Sequence, residues 1–223
     1  MLTATTTPTV DLRRTSYGAR QQRSAHERQQ LYAGVLEHWL RIRPLLPTML
    51  VETSGDDLTW ANKTAARLEL HPLTRAAHCT IRDEIGCHEA DAMWRAVRAS
   101  RLIGRGAGRG LGTQQCSHVL KVTGRYAVIS DVHAALRRCG PRWDVAVQNT
   151  SWGKRGPGSM VFGFRADLND ALFGWSQLGG QGCQECHLQK WVRQHPNARV
   201  CQLPRLRVRP VIEGSTGRER SIV

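Results

Sequence analysis

No stretch of the chain approaches the roughly 18 consecutive apolar residues that a membrane-spanning helix requires. The N-terminus also lacks a charged start followed by an apolar core, so no secretory signal is legible, and the sequence reads as a soluble protein, cytoplasmic by default. Acidic residues are scarce, 18 against 32 Lys and Arg, which leaves a net charge of +14. Lysine is scarcer still: Lys63, Lys121, Lys154 and Lys190 are the whole set, and every other base is arginine. Those arginines are scattered from Arg13 to Arg220 without an RNA-recognition, helix-turn-helix or zinc-finger pattern, so nucleic acid is a possible partner and not the favoured one. Denser groups at Arg101, Arg105, Arg109 and at Arg205, Arg207, Arg209 suit phosphates or another anionic surface. The Gly/Arg-rich stretch 104–112, GRGAGRGLG, is closed by neither GKS nor GKT; it is not a Walker loop and reads as a flexible connection. The seven cysteines are odd in number and follow no secretion signal, which favours free thiols over a disulfide framework.

What is present fits one domain of ordinary core size, 223 residues with 40% hydrophobic content. The opening LTATTTP alternates threonine with apolar residues and ends at Pro8, as a short first strand would. Ser24 and Glu27 stand three apart as a capping box, and Leu31, Val35, Leu36, Trp39 and Leu40 follow at helical spacing up to Pro44. MLVET then makes a strand that runs into the turn-rich Ser54, Gly55, Asp56 and Asp57. Strand, helix and strand form a βαβ unit over 1–57, whose right-handed crossover sets the ends of the two strands side by side. Further on, RLEL at 67–70 is a candidate strand, and a helix from about Glu89 to Leu102 carries Glu89 and Asp91 at its positive end. DVAVQ and MVFGF read as strands, 184–194 as a helix, LRVRPVIEG as an edge strand and 213–223 as a loose C-terminal tail.

The most informative stretch is HVLKVTGRYAV, residues 118–128. Apolar alternation through Val119, Leu120 and Val122 makes a buried strand, and Lys121, Thr123, Gly124, Arg125 and Tyr126 gather at its end. Two cations, a hydroxyl and a glycine at the carboxyl end of a strand suit an anion, phosphate first, because ligands of open α/β sheets settle in that crevice.

Read in order, LTATTTP, ERQQLY, LVETSG, LKVTGRY, QECHLQKWV and LPRLRVRPVIEG resemble a family of glycosyltransferase-like proteins with a GT-A-type nucleotide-sugar fold, marked by a strand ending in KxTGRY. The resemblance implies a single α/β, Rossmann-like domain with a mostly parallel central sheet flanked by helices. It implies a nucleotide-sugar donor, with the acceptor, whether glycan, lipid or protein, left open. On that basis Thr3, Thr5 and Pro8 line the nucleoside, Glu52 and Ser54 face its base or ribose, and Arg28 reaches the phosphates. Lys121, Thr123, Gly124, Arg125 and Tyr126 meet the diphosphate and stabilise the charge that collects on the leaving group. Glu185, at the start of a helix, is the candidate general base for the acceptor hydroxyl.

Two features depart from the family pattern. Where a GT-A enzyme carries Asp-x-Asp for a divalent metal, this chain has LKVTGRY and no paired carboxylates, so cations are expected to take the place of the metal. IGCHEA, residues 85–90, stands where a Gly-Lys-Gly stretch is expected, keeping only Gly86 and Glu89. These departures leave a second reading open, a catalytically inactive basic protein on the same fold that holds nucleic acid or another polyanion.

Other chemistry is weaker. CQECH spells the CxxCH attachment motif of c-type haem, and Cys79, Cys87, Cys183 and Cys186 with His78 or His88 make a loose zinc set; free thiols account for both more simply. Of the tryptophans, Trp39, Trp94 and Trp191 fall on apolar helical faces, and Trp152 and Trp175 are left as candidates for an acceptor platform.

Overall fold

The computed structural model describes residues 1–4, 24–42, 46–61, 68–74, 78–79, 84–103, 116–124, 126–148, 161–178, 184–212 and 219–222. Its centre is a seven-stranded sheet in the order β3-β2-β1-β4-β6-β5-β7. The strands are β1 (Leu2–Ala4), β2 (Thr48–Glu52), β3 (Leu68–Pro72), β4 (His118–Thr123), β5 (Val145–Gln148), β6 (Val161–Arg165) and β7 (Val200–Leu203). Only β6 runs against its neighbours; β3, β2, β1 and β4 pair in parallel, as do β5 and β7. The mostly parallel sheet and its βαβ opening match the expectation from sequence, and helix α1 (Ala25–Ile42) supplies the crossover between β1 and β2.

Helices cover both faces, which explains why the strands read as near-continuous apolar runs. On one face, Tyr32 and Leu36 of α1 and Val132 and Ala135 of α3 (Val132–Arg138) pack on Leu2, Ala4, Leu50, Val122 and Ala146. On the other, Ala90, Met93, Ala96 and Val97 of α2 (Glu84–Ala99), Leu172 and Phe173 of α4 (Asn169–Phe173) and Leu188 of α5 (Gln184–Gln194) pack on Val51, Val119, Val147 and Phe162. Side chains alternate across a strand, so Lys121, two residues from Val119, belongs to the α2 side. Ser24 opens α1 as expected, its hydroxyl receiving the Glu27 N–H at 3.2 Å while the Glu27 carboxylate accepts from the Ser24 N–H at 2.6 Å.

Three expectations are corrected. Residues 219–222, within the segment read as a loose tail, form β9 (Glu219–Ile222), antiparallel to β8 (Arg207–Ile212). Second, β3 extends to Pro72 and α2 begins at Glu84, five residues before the expected start. Third, the cysteines are bridged: Cys79 with Cys87 and Cys139 with Cys201, at Cα separations of 5.7 and 5.5 Å, and Cys186 is disulfide-bonded as well. Half-buried Cys116 lies outside the Cys79–Cys87 and Cys139–Cys201 bridges. Sequence separations of 8 and 62 conceal pairs that the sheet and α2 bring together. A disulfide at Cys186 also removes the sulfur that haem attachment or zinc ligation would need.

Candidate functional site

The strand order reverses at β1: the chain moves from β1 outward to β2 and β3, then returns to place β4 on the other side. That is a topological switch point, where adjoining loops diverge and leave a crevice beyond the carboxyl ends of the strands. Four main-chain contacts draw those ends together. Thr53 N–H donates to the Ala4 carbonyl at 3.0 Å, Leu73 N–H to the Glu52 carbonyl at 3.1 Å, Gly124 N–H to the Thr3 carbonyl at 2.7 Å, and Tyr126 N–H to the Thr123 carbonyl at 3.0 Å. The glycine of KVTGRY has a steric reason here. A Cβ at position 124 would lie 2.5 Å from the Thr3 carbonyl oxygen and 3.2 Å from the Tyr32 ring, so β4 can close on β1 only without a side chain.

A buried polar cluster sits at this edge. The Lys121 ammonium, fully removed from solvent, lies 2.9 Å from Glu89 Oε1, donates to Thr123 Oγ1 at 3.0 Å and stands 5.4 Å from the Phe162 ring centre. Glu89 on α2 also accepts from the Thr3 hydroxyl at 2.6 Å and from Gln184 Nε2, in the first turn of α5, at 2.7 Å. Burial works against ionisation of Glu89. The Lys121 charge and the hydrogen bonds from Thr3, Lys121 and Gln184 outweigh it and hold the carboxyl below its ordinary range. β1, β4, α2 and α5 thus meet in one charge-balanced cluster.

The loop after β2 is organised by carboxylates. Glu52, fully buried, accepts from the backbone N–H of Ser54 at 2.8 Å and of Asp56 at 2.9 Å, and from the Ser54 hydroxyl. Asp56 in turn accepts from Leu58 N–H and Trp60 Nε1 and, at 2.8 Å, from Gln29 of α1. Leu58 takes a left-handed backbone, φ 59°, and is fully buried, so these bonds hold an otherwise disfavoured conformation.

The structure therefore gathers Thr3, Lys121, Thr123 and Gly124 at the switch point, with Tyr126 buried beneath. Glu52 and Ser54 lie at the neighbouring strand end and bond each other. Half-buried Arg28 lies in the first turn of α1, next to Gln29, which reaches the same loop. The backbone of Glu185 follows Gln184 in α5, one residue from the cluster. Thr5, Pro8, Arg125, the 104–112 loop and Trp152 lie outside the described residues. Trp175 is half-buried, stacks on the His187 ring at 3.9 Å and packs against the Cys79 and Cys87 pair, so at least one face of its ring is taken.

The sequence reading missed the partnership that decides the charge of the site. Glu89 was legible as a helix-start carboxylate, but the signal that pairs it with Lys121 is the phase of Lys121 with the core residue Val119: a lysine on a buried face requires an anion. Gln184 carried no comparable signal. Within the cluster the Glu89 carboxylate is already neutralised by Lys121. Among the described residues no three His, Cys, Asp or Glu converge.

No protein-family model matches the chain, and no curated protein matches it. Solved structures do. A protein described as a nucleotide-diphospho-sugar transferase from Desulfovibrio desulfuricans G20 is 15% identical over 91% of this chain and 78% of its own, with a TM-score of 0.48. A 4-diphosphocytidyl-2C-methyl-D-erythritol synthase from Anaerococcus prevotii DSM 20548 is 9% identical over 91% of this chain and 87% of its own, with a TM-score of 0.51. At such identities the second likeness is one of fold: this chain is an α/β domain built as that synthase is built.

Proposed function

We propose that the chain binds a nucleotide-sugar donor in the crevice between β1 and β4 and transfers its sugar to an acceptor hydroxyl without a divalent metal. The observation that carries this reading is the switch point itself, with Thr3, Lys121, Thr123 and Gly124 at the carboxyl ends of the two strands that flank it. The fold likeness to an enzyme named for a diphosphocytidyl product supports nucleotide use. In this reading Thr3, Thr5, Pro8, Glu52 and Ser54 surround the nucleoside, and Arg28, Arg125 and Lys121 face the diphosphate. Cationic groups there stabilise the negative charge that develops as the sugar–phosphate bond breaks. Glu185, at the positive end of α5, takes the proton of the attacking hydroxyl.

The test is a transfer assay with nucleotide sugars in a chelating buffer. Glu185→Gln is expected to abolish turnover while leaving donor affinity within about twofold; full turnover by that variant removes the assigned base. A second reading has its own support. Lys121 is buried and balanced by Glu89, so the cluster offers a donor anion no net charge as it stands. That favours a non-catalytic protein on the same fold, and absence of binding by every nucleotide would establish it over the transferase.

A further inference from the structure

A second recess lies on the α3 side of the sheet. It is a groove of about 600 Å³ between α3 and the turn that joins β7 to β8, lined among others by Ser130, Asp131, Arg137, Arg138, Arg205 and Leu206. Its bases are exposed, and exposed Arg207 and Arg209 continue the row along β8, alternating with buried Leu206 and Val208. Strand geometry spaces Arg207 and Arg209 about 6.7 Å apart on one side. β8 is fixed against the α3 approach by four bonds: Arg207 N–H to Ser130 Oγ at 2.7 Å, Ile129 N–H and Ser130 N–H to the Arg207 carbonyl at 2.9 and 3.3 Å, and Arg209 N–H to the Ala127 carbonyl at 3.0 Å.

Arg95, Arg98, Arg165 and Arg199 each meet a carboxylate within 3.5 Å. Arg137, Arg138, Arg205, Arg207 and Arg209 meet none among the described residues; the nearest side-chain contact of Arg137 is His133 Nδ1 at 2.9 Å. The single acid of the groove lining, Asp131, is turned to the α3 N-cap, where it accepts from Ala134 N–H at 3.0 Å. Five exposed guanidinium groups gathered on one built surface, without a carboxylate partner among the described residues, suit an external polyanion, since each offers a planar fork that matches carboxylate, sulfate or phosphate.

Two observations choose among polyanions. The Cys139–Cys201 disulfide joins the C-cap of α3 to β7, the two elements that wall the groove, and Cys79–Cys87 and the bonded Cys186 add to it. Bridges of this number belong to oxidising compartments, where acidic polysaccharides are the abundant polyanion and nucleic acids are not. In chain order the walls follow β4 and β7, strands of the sheet that also carries the switch-point crevice. We propose that this groove binds an acidic polysaccharide through carboxylate or sulfate groups and, resting on the transferase reading, that this polymer is the acceptor.

The test measures binding of heparin and of polygalacturonate to the full chain across a salt series, with single-stranded RNA as the competing polyanion. The variant Arg137→Ser/Arg138→Ser/Arg205→Ser is compared with a charge-matched control away from the groove, Arg98→Ser/Lys190→Ser/Arg193→Ser. The groove variant is expected to lose at least tenfold in affinity for one of the two glycans, and its log–log salt slope to become shallower, because fewer ion contacts release counterions on binding. The control should lose no more than threefold. Equal loss in both variants, tighter binding of RNA than of either glycan at the same salt, or no glycan binding at all would overturn the proposal. A parallel nucleotide titration separates the two readings: glycan binding that persists in a protein that binds no nucleotide supports the groove and refutes only its role as acceptor site.

Discussion

Replacing Glu89 with alanine is the sharpest perturbation of the switch-point cluster. It would leave the fully buried Lys121 ammonium with the Thr123 hydroxyl but without its counter-charge, and would strip acceptors from Thr3 and Gln184. Removing one member of a buried ion pair typically costs about 3–5 kcal/mol. In a domain of this size 1 kcal/mol moves the melting temperature by about 2–4 °C, so a loss of roughly 6–20 °C is expected. Replacing both members, Glu89→Leu with Lys121→Met, removes the uncompensated charge and should recover at least half of the loss. The effect also depends on pH. Since the Glu89 carboxyl is held below its ordinary range in the folded protein, its stabilisation is fully present above the unfolded carboxyl's pKa, and is lost as pH falls through the folded value. The gap between wild type and Glu89→Ala should therefore be widest near neutrality and narrow in acid. Urea unfolding from pH 7 down to about 3 measures this. An alanine variant within about 0.5 kcal/mol of wild type at pH 7, or a double variant no better than the single, would refute the pairing argument.

Gly124→Ala should destabilise by about 1–3 kcal/mol in the same assay, because its Cβ meets a strand carbonyl that cannot step aside. Glu52→Ala leaves the Ser54 and Asp56 amides without their acceptor, at about 1–3 kcal/mol for each amide that water cannot reach; unchanged stability with lost nucleotide affinity would show instead that Glu52 serves the ligand directly. Opening the 62-residue Cys139–Cys201 loop by a double serine substitution should lower stability by about 4 kcal/mol, the chain-entropy value for a loop of that length. Peptide mapping of the unreduced protein should recover Cys139 linked to Cys201 and Cys79 linked to Cys87.

The parts of the fold legible in the sequence are those with strong periodicity. The capping box at Ser24, the apolar run at 48–52 and the alternation of 118–123 each specify an element by local physics, and their succession specifies the parallel opening of the sheet. α3, α4 and β7 are short, 7, 5 and 4 residues, and their patterns are too brief to stand out. The site was half-legible. KVTGRY marks the right strand end, yet Gly124 answers to the approach of β1 and Lys121 to Glu89, and both demands come from tertiary contacts. The cysteines were misread for the same reason, since pairing depends on distance in space and the strand order that creates it is invisible to spacing.

The central claim is that the crevice between β1 and β4 binds a nucleoside diphosphate. A thermal-shift panel of nucleoside diphosphates and their sugars, each with chelator and with manganese, tests it most directly. At a hundredfold excess over the dissociation constant, binding adds about 2.7 kcal/mol and raises the melting temperature by roughly 5–11 °C. A shift of that size for one nucleotide series, unchanged by chelator and abolished by Lys121→Met/Glu89→Leu, is the predicted result. A flat response to every nucleotide, with or without metal, would contradict the claim.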